Sequence, residues 1–132
     1  MNGRNKMIKP NELMIDNWVL HSDRPIKVKG IIENRIASFD NEIGVRLVFS
    51  HKVDEIEPIT ITEEILEKCG FENTHDNEFY ATVNNSIEVF IYKDNDSSFR
   101  IGKNDADIEI KYIHQLQNSY FILTGEQLTI KL

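Results

Sequence analysis

The chain has 132 residues, 40% of them hydrophobic and 28% charged. This balance is typical of one ordinary globular domain and excludes a disordered or fibrous chain. No run approaches the roughly 20 apolar residues of a membrane helix, and the first ten residues lack the apolar stretch of a secretory signal. We therefore expect a cytoplasmic protein that makes no membrane contact.

The net charge of −7 is unevenly distributed along the chain. Residues 1–52 contain nine Lys or Arg against six Asp or Glu, a net of +3, whereas residues 53–132 contain six against sixteen, a net of −10. The acidic part should repel the phosphates of nucleic acids. We therefore do not expect nucleic acid as a partner.

The first half of the chain has the pattern of short strands. Residues 10–14 predict a turn or short helical entry, and a run around Trp18, the only tryptophan, follows at 17–20. Strand-length runs with polar turns between them come next, at residues 26–32, 35–39 and 45–49. This pattern predicts a small antiparallel β-barrel-like unit or a strongly bent sheet.

A short helix is predicted after Pro58, where the apolar period changes. Thr62 is a good N-cap and the two glutamates after it favour the positive end of the helix dipole. Gly70 should end the helix in a Schellman motif, with Phe71 packing back on Leu66.

The second half predicts a four-stranded antiparallel meander and a C-terminal helix. Asn84 and Asn85 suit a tight hairpin loop between the first two strands, the period becomes helical from 112 to 124, and Gly125 is a ready C-cap. A short closing strand is predicted at 128–132. The four strands of the meander are at residues 79–83, 86–93, 98–102 and 107–111.

The C-terminal helix carries polar residues that packing does not readily explain. At 100° per residue, His114 and Asn118 fall on the side opposite the apolar face, and Gln117 lies at its edge. These side chains can present hydrogen-bond groups to a ligand, and Trp18 is a candidate stacking surface. The alternative, which we favour, is that Gln117 satisfies a backbone group while His114 and Asn118 face water, and that Trp18 belongs to the core.

Three segments resemble one known group of proteins: KPNELMIDNWV at residues 9–19, ITEEILEKCGF at 61–71 and KYIHQLQNSYFILTGEQLTI at 111–130. The group comprises small uncharacterised proteins carried by phages and mobile elements of anaerobic gut bacteria, and Asp16 stands where it often has glycine. The resemblance implies an accessory protein acting in counter-defence, in binding a signalling molecule or in interference with a host protein. It implies no catalytic residues.

The sequence contains no recognisable metal, cofactor or catalytic motif. Four scattered histidines and the single Cys69 do not have the spacing of a zinc site, and no phosphate loop or nucleophile elbow is present. We therefore expect no metal and no cofactor. An enzyme is the less favoured interpretation, although a site assembled across the fold stays open.

The sequence-based interpretation is one α+β domain over residues 1–132, with a β-rich part at 1–58 and the helix, meander and C-terminal helix at 59–132. The leading functional hypothesis is a non-catalytic accessory protein that sequesters a small signalling ligand such as a nucleotide. The alternatives are an acidic module that binds and inhibits a host protein, and a small enzyme. Short sheet edges also permit a homo-oligomer.

Overall fold

A computed structural model describes residues 8–40, 46–75, 77–83, 87–95, 98–103 and 106–132. The chain divides into two compact units, unit 1 (Met1–Ile59) and unit 2 (Thr60–Leu132). A mixed α+β protein with antiparallel sheets and two α-helices is confirmed. The single domain with one shared core stays a prediction.

Unit 1 consists of short strands: β1 (Trp18–His21), β2 (Arg24–Lys27), β3 (Gly30–Ile32), β4 (Arg35–Asp40), β5 (Arg46–Lys52) and β6 (Ile56–Glu57). Single-turn 3-10 helices lie at Pro10–Glu12 and Val53–Glu55. The strands form two antiparallel sheets, ordered β2-β1-β6 and β3-β4-β5. Neither sheet closes on itself among the described residues, so no closed barrel is found there, and the predicted barrel-like or bent-sheet arrangement stays a prediction.

The chain enters β1 through a tight turn at residues 14–17. Asn17 is buried, and its side-chain oxygen accepts the N–H of Met14 at 2.8 Å. Asp16 has a φ of 76°, the left-handed conformation for which glycine is the default residue, and its carboxylate forms an ion pair with Lys29. A glycine would adopt the backbone conformation of this position without strain.

One apolar cluster joins the elements of unit 1. Val19 of β1, Ile36 of β4 and Ile56 of β6 are each 1% exposed or less, and they pack with residues of the N-terminal segment and the loops. Burying such side chains contributes roughly 1.5–3 kcal/mol each. The two sheets are thus held by a common core and by contacts at its rim.

Unit 2 consists of one sheet and two helices: α1 (Glu63–Lys68), β7 (Glu72–His75), β8 (Glu78–Val83), β9 (Ile87–Asn95), β10 (Ser98–Lys103), β11 (Ala106–Ile110) and α2 (Ile113–Thr124). The antiparallel sheet has the order β11-β10-β9-β8-β7. It therefore has five strands where four were predicted, because β7 pairs with β8 at the edge. The predicted hairpin loop at Asn84 and Asn85 lies outside the described residues.

Helix α1 begins and ends as its sequence predicts. The Thr62 hydroxyl accepts the N–H of Ile65 at 3.2 Å. At the other end Gly70 has a φ of 101°. The N–H of Phe71 donates to the Leu66 carbonyl and the N–H of Gly70 donates to the Glu67 carbonyl, both at 3.1 Å. This pair of hydrogen bonds defines the Schellman motif.

Helix α2 ends at Gly125, but the chain after it does not form the predicted closing strand. Gly125 has a φ of 75° and donates its N–H to the Phe121 carbonyl at 2.8 Å, which confirms the C-cap. Residues 127–132 have no regular structure, although Ile130 is buried. Their alternating pattern reflects local burial, because β11 and β7 remain the edges of the sheet.

Candidate functional sites

The first candidate site, on α2, lies in the interior of unit 2. His114 is 1% exposed and Gln117 is 8% exposed, while Asn118 is half-buried. The predicted placement of His114 on the far side of the helix is wrong. Its ring instead lies parallel to that of Tyr112, with centroids 6.1 Å apart.

The wide buried surface of α2 has a structural cause. The helix contacts β10 and β11, and Tyr120 also meets the Phe71 ring edge to face at 6.1 Å. A helix covered from more than one direction buries more than the single stripe that the 100° projection assumes. The helix therefore brings His114 and Gln117 together, but inside the fold.

The amide of Gln115 has a role in starting the helix. Its side-chain oxygen accepts the N–H of Lys111 at 2.8 Å and that of Tyr112 at 3.1 Å. Backbone donors at a helix N-terminus need such acceptors. This amide therefore has a structural role, while His114, Gln117 and Asn118 each have a further interaction within the chain.

Trp18, the remaining candidate residue, belongs to unit 1. It is half-buried in β1, opposite Lys27 of β2, and the Lys27 ammonium lies 5.6 Å from the ring centroid. This is a cation–π contact, so one side of the indole already has a partner.

A row of aromatic rings crosses the side of the unit 2 sheet opposite the buried residues. Tyr80 of β8 pairs with Phe90 of β9, with centroids 5.3 Å apart, and Tyr92 stacks beside Phe90 at 6.3 Å. Tyr92 is 42% exposed. Residues that alternate with these three, such as Phe79 and Ile91, are fully buried, so the rings point away from the core.

Carboxylates surround this aromatic row. The register of the strands places six acids on the same side as the rings, and Arg100 is the one Lys or Arg there among the described strands. The guanidinium of Arg100 lies 3.0 Å from Asp94 and 3.1 Å from Asp107. We call this surface the acidic aromatic face: Tyr80, Phe90 and Tyr92 with Glu72, Glu78, Glu88, Asp94, Asp107 and Glu109.

The acidic aromatic face was missed in the sequence, although a signal for it exists. In β8 and β9 the outward positions read Glu78, Tyr80 and Glu88, Phe90, Tyr92. An amphipathic strand normally carries short polar side chains outward. One outward aromatic residue on β8 and two at successive outward positions on β9 therefore indicate a surface of unusual composition.

The second missed cluster is the histidine pair, His21 and His51, in unit 1. The two rings are 4.2 Å apart between centroids, tilted by 53°, and Ser38 Oγ lies 3.2 Å from His51 Nε2. Burial is the main cause that lowers the pKa of His51, and the neighbouring His21 lowers it further. The Glu55 carboxylate opposes this shift. The Lys52 N–H, which donates to Glu55 at 3.1 Å, lowers the pKa of that carboxyl.

Strand geometry explains how the histidine pair forms. His21 lies two residues after the buried Val19 on β1, so both side chains are on the inward face of that strand. His51 pairs with Ile36 on β4. The register of β4 with β5 shifts between Ile36 and Ser38, immediately after the pair of Ile36 with His51. Such bulges re-aim side chains, and here the His51 ring meets the Ser38 hydroxyl.

Cys69, the only cysteine of the chain, is partly buried. Burial raises the pKa of the Cys69 thiol, which disfavours the thiolate and agrees with a structural role. In the described part of the chain no group of three or more His, Cys, Asp or Glu side chains is placed to hold a metal ion. Within the same residues no helix has the length and apolar character needed to span a membrane.

Comparison of the chain with known proteins finds no match. The chain matches no protein-family model, no curated protein and no solved structure.

Proposed function

We propose that this chain is a non-catalytic binding protein whose unit 2 docks a positively charged segment of another protein on the acidic aromatic face. The observation that carries the proposal is the combination, on one side of one sheet, of three outward aromatic rings with six surrounding carboxylates. Tyrosine and other aromatic residues are enriched in protein interfaces, where they supply large contact areas.

The charge of the two units supports this assignment. Unit 1 contains nine Lys or Arg and nine Asp or Glu, a net of zero, whereas unit 2 contains six against thirteen, a net of −7. The boundary at residue 59 thus assigns the whole net charge of the chain to unit 2. A field of one sign steers an oppositely charged partner toward the surface.

Lysine and arginine side chains fit both components of the face. Their charged ends meet the carboxylates, while a cation over an aromatic ring contributes roughly 0.5–1 kcal/mol at an exposed site. Nucleic acids and other polyanions are repelled by the same carboxylates. The partner is therefore expected to be a basic protein segment.

The resemblance to phage and mobile-element proteins supplies a setting for this proposal. In that setting the partner is a host protein, and occupation of its basic surface inhibits it. Sequestration of a small signalling ligand by His114, Gln117, Asn118 and Trp18 stays a prediction. Its test is the thermal stabilisation of the protein by a panel of nucleotides.

The proposal is tested with a fluorescent lysine-rich peptide and two charge-reversed variants of the full chain. Glu88→Lys with Glu109→Lys changes the acidic aromatic face, whereas Glu64→Lys with Glu67→Lys changes exposed positions on α1 by the same total charge. We expect the first variant to lose at least about tenfold in affinity, which is about 1.4 kcal/mol. The second variant should lose clearly less.

The outcomes separate a specific surface from general attraction. Affinity should also fall as salt is added, because the Debye length shortens from about 10 Å at 0.1 M to about 3 Å at 1 M. Equal losses in the two variants would show that only net charge attracts the peptide. Binding of a single-stranded oligonucleotide with similar affinity would likewise overturn the proposal.

A further inference from the structure

The histidine pair connects elements of the two sheets of unit 1. His21 is the last residue of β1 in the first sheet, and His51 lies near the end of β5 in the second. Their cross-strand partners, Ile56 and Ile36, are both buried in the common core. The ring contact of 4.2 Å therefore lies at the rim of the core that holds the sheets together.

We propose that the histidine pair is an acid-sensitive contact that keeps the two sheets of unit 1 closed at neutral pH and opens when the rings are protonated. Two imidazolium rings at this separation repel each other, and partial burial weakens the screening by water. Histidine is the side chain whose ordinary titration lies nearest to neutral pH. The proposal is independent of the acidic aromatic face, which belongs to unit 2.

Charged groups from several elements lie near the pair along the strands and the adjoining turn. Among the described residues they are Arg24 on β2, Arg35 on β4, Lys52 on β5, Asp54 and Glu55 in the 3-10 turn, and Glu57 on β6. Glu55 interacts electrostatically with both histidines and favours the charged form of His51. Its exposed carboxylate offsets part of the repulsion, so removing it should strengthen the response to acid.

The direction of the pH effect follows from the lowered pKa of His51. The unfolded or opened chain binds a proton near the ordinary value of 6.5, and the closed unit binds it only at lower pH. The contribution of the contact is therefore fully present above about pH 6.5 and is lost as the pH falls toward the lower pKa of the closed form. Opening should become about tenfold more favourable for each unit of difference between the two pKa values.

The test is amide hydrogen exchange of the full chain at pH 7.5 and 5.5, corrected for the intrinsic pH dependence of exchange. We expect protection of β1 and β5 to fall at pH 5.5 in the wild type. His51→Gln, whose amide can still bond to Ser38 but does not titrate, should abolish this difference. Glu55→Gln, which keeps the acceptor for the Lys52 N–H, should enlarge it.

Control measurements distinguish the pair from the other buried histidine. His114→Gln removes an imidazole from unit 2 and should leave the acid response of β1 and β5 unchanged. Equal protection of the wild type at both pH values would overturn the proposal, as would an unchanged response in His51→Gln. Should that variant not fold, ring-proton titration of the wild type decides, since a His51 pKa at or above 6.5 contradicts the mechanism.

Discussion

Both units contain backbone positions with a positive φ angle, but different types of residue occupy them. In unit 1 the positive φ angles among the described residues fall on side chains that carry a Cβ: Asp16 at 76°, Ser22 at 51°, Asp23 at 64° and Glu33 at 52°. In unit 2 both helices end at glycine, Gly70 at 101° and Gly125 at 75°. Asn77, at 67°, is the exception there, and asparagine tolerates this conformation.

The difference shows which interactions stabilise the turns of each unit. The helix ends of unit 2 follow from glycine and the Schellman pattern, which are local and visible in sequence. The turns of unit 1 depend on side-chain contacts, such as the Asp16 ion pair and the Asn17 hydrogen bond. Unit 1 should therefore be more sensitive to the loss of single polar groups.

The largest effect is expected in the core of unit 2. Phe79 is fully buried, so Phe79→Ala should lower the free energy of unfolding by about 3–5 kcal/mol. Phe121→Ala is the control, because this ring is 39% exposed and should contribute less than about 1 kcal/mol. Urea unfolding measures both.

The same experiment also tests the comparison between the units. Trp18, the only tryptophan, reports on unit 1 by fluorescence, while α1 and α2 of unit 2 dominate the helical circular dichroism. The single-domain prediction requires both signals to shift together in Phe79→Ala. A shift of the helical signal alone would show that the units unfold independently.

A smaller effect is expected from the polar group that closes the entry turn of unit 1. Asn17→Ala leaves the Met14 N–H without its side-chain acceptor, which should destabilise the protein by about 1–3 kcal/mol. Asn73→Ala is the matched control, since Asn73 is exposed on the edge strand β7. Similar losses in the two variants would remove the claimed dependence of unit 1 on buried polar groups.

The smallest effects compare the two types of turn directly. Gly70→Ala should cost about 1–2 kcal/mol from the backbone alone, because nothing lies within 4 Å of the added Cβ. Asp16→Gly should be close to neutral, since relief of the left-handed conformation offsets the lost ion pair with Lys29. Asp16→Ala should be the worse of the two. Equal stability of the two Asp16 variants, measured by thermal unfolding, would contradict this account.

The local elements were largely predictable from the sequence, and their partners were not. Strand β7 was missed because Glu72, Asn73 and Thr74 are all exposed and carry no apolar alternation. It is a strand only because β8 offers a free edge. Residues 128–132 show the reverse case, in which alternation predicted a strand that has no pairing partner in the described structure.

The same distinction between local sequence and tertiary packing applies to the candidate sites. The sequence by itself determined the caps of α1, the end of α2 and the acidity of the C-terminal part, because these depend on neighbours within a few residues or on composition. Only the tertiary structure placed His114 in the interior, since its burial depends on elements packing from several directions. It alone brought His21 to His51 across thirty residues of chain, because such contacts depend on strand register and not on sequence spacing.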